Sequence, residues 1–187
     1  MSETPSTMLE LGTSLPAVRL VNAVDGAELD VSAFAAGKKG AVVLFICNHC
    51  PYVVHIRAEL VRVAHEALER GLAVVAINSN DADSHPQDGP AAMARLAKDE
   101  GWRFPFLFDR TQNVARAFHA ACTPDLFVFD ARARLAYRGQ FDDSRPSNGK
   151  PVTGRDLRGA IEAVVAGRSP SLDQRPSVGC NIKWRRG

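Results

Sequence analysis

Two cysteines three residues apart, in the stretch Phe45-Ile46-Cys47-Asn48-His49-Cys50-Pro51-Tyr52, sit where an apolar run gives way to a helical pattern. The run from Ala41 to Ile46 is continuous and rich in β-branched and aromatic residues, which reads as a strand buried on both faces. From Val53 the apolar residues fall at Ile56, Leu60, Ala64 and Leu68, and Gly71 ends this helical stripe. Cys50 and Pro51 then lie in the first turn, where proline's missing N–H costs nothing. Leu72 to Asn78 is a second apolar, β-rich run, so strand, helix and strand make a βαβ unit with the dithiol at the carboxyl end of its first strand. Open parallel sheets place their sites at that end.

A sulfur at the N-terminal side of a helix meets unpaired N–H groups and the positive end of the helix dipole, and both favour the thiolate. Thiols in C-x-x-C motifs span roughly 3.5 to 7.5 in pKa. A lower value stabilises the reduced form and makes the disulfide the stronger oxidant. His49 adds to the effect when protonated. On this reading Cys47 is the exposed attacking sulfur and Cys50 the shielded resolving one. A C-x-x-C can also be half of a zinc site, but the second half should be another close pair of Cys or His. Cys122 and Cys180 are isolated, and His55, His65, His85 and His119 show no ligand spacing, so no metal ligands are assigned.

At 187 residues, 45% hydrophobic and 24% charged, the chain suits one soluble domain over 1–187, with 169–187 as its C-terminal tail. The formal net charge of +2 and a single short basic run, Lys183 to Arg186, argue against a nucleic-acid partner. Met1 to Glu10 is polar, without a signal-peptide core or a membrane span, so a cytoplasmic location is expected. Four cysteines in a reducing compartment fit a catalytic or sensing dithiol better than permanent staples.

Elsewhere, Ala17–Val21 and Ala27–Val31 flank an Asp25-Gly26 turn as an N-terminal hairpin, followed by a short helical turn over Ser32–Gly37. The polar stretch Asn78–Gly89 is long enough to be a functional loop; its His85 either reaches the site or is an idle surface residue. A helix over Pro90–Glu100 turns Met93, Leu96 and Ala97 inward, a strand covers Phe104–Phe108, and a short helix covers Val114–Ala120. Trp102 and the phenylalanines from Phe104 to Phe118 read as core. A strand over Cys122–Asp130, with Pro124 at its mouth, pairs back with Leu135–Phe141. Thr153 to Asp156 resembles a capping box ahead of a last helix ended by Gly167, and Val178–Trp184 carries enough apolar matter for the tail to dock.

This order resembles the thioredoxin fold, an α/β central mixed sheet flanked by helices, with the N-terminal hairpin and helical insertion of its peroxiredoxin and TlpA-like branch. Cys47-Asn48-His49-Cys50-Pro51-Tyr52-Val53, Thr123-Pro124 and Gly179-Cys180-Asn181-Ile182-Lys183-Trp184 resemble a family of small bacterial redoxins labelled peroxiredoxin-like, AhpC/TSA-like or thiol-disulfide isomerase. The resemblance implies Cys47 as nucleophile, Cys50 as resolving thiol, Pro124 as a cis-proline beside the dithiol, and Thr123 as a backbone partner for an incoming disulfide. The pair Asn48-His49 is closer to the Pro-His of DsbA oxidases than to the Gly-Pro of thioredoxin.

Two departures from the resembled families stand out. Thioredoxin's buried acid in the strand before the dithiol is missing from Ala41–Ile46, so His49 or a carboxylate from elsewhere would have to serve. Counted back from Cys50, the proline and threonine of peroxiredoxins are replaced by Val43 and Cys47, and no arginine stands near Thr123-Pro124 in the chain. The expected activity is therefore thiol-disulfide exchange with protein or small-molecule disulfides and a thiol reductant. It requires no bound cofactor and no membrane partner. A peroxidase and a metal-handling module are the alternatives. Cys122 is either an exchange partner or a small core residue, and Cys180 either an extra resolving thiol or a free one.

Overall fold

The computed structural model describes residues 3–185; Met1 and Ser2 of the polar start and Arg186 and Gly187 of the tail lie outside them. Gly40–Phe45 forms strand β4, with Ala41, Val43 and Phe45 on one face and Val42 and Leu44 on the other, and both sets are buried. An apolar run covered on both sides has no polar face to show, which is why it does not alternate in sequence. β4 pairs in parallel with β5, Ala73–Asn78, and antiparallel with β8, Asp125–Asp130. The sheet is completed by the strands β2 (Arg19–Asn22), β3 (Glu28–Asp30), β6 (Phe106–Phe108) and β9 (Leu135–Gly139), in the order β3-β2-β6-β5-β4-β8-β9.

One face is covered by α2 (Pro51–Glu69), α3 (Pro90–Asp99) and α5 (Arg155–Val165), which turn Val53, Ile56, Leu60, Met93 and Ile161 onto Val42, Leu44 and Val74. The other face meets the short helices α1 (Val31–Ala35) and α4 (Asn113–Ala117) and an aromatic group of Phe45, Phe118 and Phe127, packed edge to face. This is an α/β fold with a central mixed sheet flanked by helices. Among the described residues, no helix is long and apolar enough to cross a membrane.

Three local expectations are corrected. The expected strand over Cys122–Asp130 is two strands, because Pro124 has no N–H to offer a ladder and divides β7 (Cys122–Thr123) from β8. β7 belongs instead to a small sheet in the order β1-β10-β7, where β1 is Glu3–Pro5 and β10 is Val178–Asn181 from the tail. The hairpin strand expected to reach Val31 stops at Asp30, whose carboxylate accepts from the Ala33 N–H at 3.1 Å and so starts α1 one residue earlier. The capping box at Thr153 does not form. Gly154 adopts a left-handed φ of 64°, and Asp142 instead accepts from the Thr153 and Gly154 N–H groups at 2.6 and 2.7 Å.

Candidate active site

β4 ends at Phe45, and the chain turns through Ile46 to His49 into α2, so both cysteines stand at the carboxyl end of a central strand. Cys50 is the residue just before α2, in extended backbone, and Pro51 takes the first helical position. Cys50 therefore receives what a helix start offers, the Val53 N–H, and it shares a buried cluster with Cys47 and Cys180. The Cys47 contact, then Cys180 and Val53, lower the Cys50 pKa to about 4 despite burial. Cys47 is pushed up, first by donating to Cys50 and then by burial and the nearby charge of Asp88. The pair thus shares one negative charge, held mainly where the helix begins. Thr123 closes the other side: its hydroxyl lies 3.5 Å from Cys47 Sγ, and its carbonyl oxygen lies 3.1 Å from Cys50 Sγ, where it accepts from that sulfur when the thiol is protonated.

Beneath Cys47 lies a polar network that begins at Asp88, a fully buried residue in the single helical turn Pro86–Asp88. One Asp88 oxygen accepts from the Asn48 N–H at 2.9 Å, and the other accepts from the Asn80 amide at 2.8 Å. His49 Nδ1 lies 2.6 Å from that second oxygen, an ion-pair distance, although it is not directed as a hydrogen bond. Asn48 is tied again through its side chain to the Gln87 carbonyl at 2.9 Å, and the His49 ring stacks on that of His85, with centroids 5.4 Å apart. His85 therefore does reach the site. Cys47, His49 and Asp88 each present a donor atom within 4.8 Å of the others, a set that suits zinc or a soft copper ion in chemistry.

The structure gathers Cys47, Asn48, His49, Cys50, Thr123 and Pro124 at one end of the sheet, and brings Cys180 there through β10. Cys122 is fully buried on β7; its thiol faces the Pro124 carbonyl at 3.5 Å. One expectation is overturned: Cys47 is only 2% exposed, hardly more than Cys50, because Thr123 and the Asp88 turn close over the end of β4. Two residues escaped the sequence reading. Asp88 brings a buried carboxylate beside Cys47 from the polar stretch after β5, and its only signal was that loop's length and richness in Asn and Asp. Arg145, from the loop after β9, lines a narrow cleft with Pro124, Tyr52 and His55, so an arginine does stand beside the cis-proline in space.

The Redoxin family profile matches residues 10–154, a span that holds the dithiol, Asp88 and Thr123-Pro124. The chain belongs to the Redoxin family. This redoxin is 45% identical to an uncharacterized conserved protein from Geobacillus kaustophilus over 100% of its own chain and 98% of the other, with a TM-score of 0.96. It is 46% identical to a hypothetical protein from Sinorhizobium meliloti, covering 98% and 100% of the two chains at a TM-score of 0.94. A secreted Mycobacterium tuberculosis disulfide oxidoreductase shares the fold at 18% identity, with 79% and 96% covered and a TM-score of 0.59. No curated protein matches the redoxin. Family and fold together assign it thioredoxin-like redox chemistry.

Proposed function

We propose that this redoxin is a thiol-disulfide oxidoreductase that works through Cys47 and Cys50. The observation that carries this reading is the placement of Cys47 and Cys50 in one buried cluster at the start of α2, with Thr123 against both sulfurs. Cys47 passes its proton to the Cys50 thiolate and attacks a partner's disulfide. One partner sulfur leaves with the electron pair and the other is held in a mixed disulfide on Cys47. Cys50 then attacks Cys47 Sγ, its proton going to the departing thiolate, and the chain is left with a Cys47–Cys50 disulfide. A thiol reductant restores the dithiol. Asn48, Thr123 and Pro124 border the dithiol and would align the substrate disulfide, whether of a protein or a small molecule. The Asp88 carboxylate and the His49 imidazole lie 2.6 Å apart beside Cys47.

The resting charge on Cys50 favours a second reading, in which Cys50 is the first nucleophile and a peroxide its substrate. Cys50 would become a sulfenic acid, releasing the reduced peroxide, and Cys47 would condense with it to give the same disulfide and water. Trapping separates the two. With a disulfide-bonded peptide, Cys50→Ser should accumulate a mixed disulfide on Cys47, whereas Cys47→Ser should not. Capture on Cys50 alone, together with peroxide consumption by Cys47→Ser, would install the peroxidase reading instead. Stoichiometric zinc or copper retained through anaerobic purification would favour a metal role for Cys47, His49 and Asp88 over both.

A further inference from the structure

Cys180 lies beyond the span matched by the Redoxin profile, yet it packs in the same buried cluster as Cys47 and Cys50. It sits on β10, the middle strand of the small sheet, opposite Glu3 on one side and Thr123 on the other. Thr123 is the residue that touches both dithiol sulfurs, so the register delivers Cys180 to the dithiol. The strand is held flush there: a Cβ on Gly179 would meet the Thr123 carbonyl oxygen at 2.0 Å, so only glycine permits the approach. Tyr52 of α2 clamps the far edge by donating to Glu3 of β1. Cys180 is 4% exposed, and it packs with both Cys47 and Cys50 in one buried cluster on the Thr123 side of the dithiol.

We infer that Cys180 is a third exchanging thiol, which moves the disulfide from Cys47–Cys50 to Cys50–Cys180. This rests on the dithiol reading above. Cys180 Sγ attacks Cys50 Sγ, the Cys50–Cys180 bond forms as the Cys47–Cys50 bond breaks, and the electron pair leaves on Cys47. The proton of Cys180 ends on Cys47, so the oxidation level of the chain is unchanged and no outside oxidant is consumed. The step returns Cys47 to the thiol state while the oxidising equivalent is kept on the tail strand, where a dithiol reductant can collect it.

The test is disulfide mapping of the full chain by peptide mass spectrometry, after one equivalent of diamide and acid quenching with alkylation. Wild type should give both Cys47–Cys50 and Cys50–Cys180, with Cys47 alkylated in the second species. Cys47→Ser should fall from three free thiols to one per chain through Cys50–Cys180, and the added Cys180→Ser should abolish that loss. Cys47–Cys50 alone in wild type, with all three thiols intact in oxidised Cys47→Ser, would overturn the relay and leave the dithiol reading standing. Cys50–Cys180 without any Cys47–Cys50 would overturn both. The wild-type map needs no substitution, so a poorly folding variant does not blunt the test.

Discussion

Two carboxyl groups are completely buried near the dithiol, and they are treated in opposite ways. Asp88, under Cys47, accepts from a backbone N–H and a side-chain amide and has an imidazole at 2.6 Å. Asp125, directly after the cis Thr123-Pro124 bond and opposite Phe45 in the sheet, has no hydrogen bond of ordinary geometry at either oxygen. Burial pushes its pKa up to about 7, and the Ser6 hydroxyl and the Ala121 and Leu126 N–H groups nearby offset only part of that. Removing water from a charge is costly unless donors replace it. The comparison shows which carboxylate the fold is built to hold: the one that fixes the loop carrying Asn48 and His49.

The largest expected effect breaks the satisfied member. Asp88→Ala strands the Asn48 N–H and the Asn80 amide and should cost roughly 4 kcal/mol, seen as a fall of about 10 °C in the melting temperature. A loss no larger than that of Asp125→Ala would erase the distinction between the two groups.

Asp125→Asn should act in the opposite direction. Its folded pKa lies above the unfolded value, so between about pH 4 and pH 7 the native state keeps a proton that the unfolded chain has released. Stability therefore falls as pH rises through that window. The amide should remove the fall and raise stability at pH 8 by on the order of 2 to 3 kcal/mol. Urea unfolding at pH 5 and pH 8 measures it, and an unchanged pH slope in the variant would show that Asp125 already has a partner.

The smallest effect lies at the sulfurs of the dithiol. Thiolate absorbance of the reduced protein near 240 nm should titrate with a midpoint near 4 and vanish at neutral pH in Cys50→Ser. Because this pKa is depressed on folding, its contribution is present above the unfolded thiol's range and is lost as pH drops through about 4. A midpoint that survives in Cys50→Ser and disappears in Cys47→Ser would move the resting charge to Cys47.

The dithiol, its strand and its helix were legible because their signals are local. A continuous apolar run, a 3.6-residue stripe and a proline after Cys50 each depend on neighbours a few positions away. The partition at Pro124 was harder to see, since Thr123 and Asp125 join different sheets according to which strands lie beside them. Asp88 was harder still, because it stands forty residues from Asn48 and meets it only when β5 lies alongside β4.

By itself, then, the sequence determined the α/β class, the placement of Cys47 and Cys50 at a strand-to-helix junction, and the redoxin resemblance. The first two follow from periodicity and short-range burial, and the resemblance from the motif residues around Cys47, Thr123 and Cys180. Only the tertiary structure decided that Cys47 is covered, that Asp88 comes to lie beside it, that Asp125 makes no well-directed hydrogen bond, and that β10 brings Cys180 into the buried cluster of the dithiol. Those outcomes depend on which distant segments share a register, and a buried charge or thiol takes its properties from the groups brought against it.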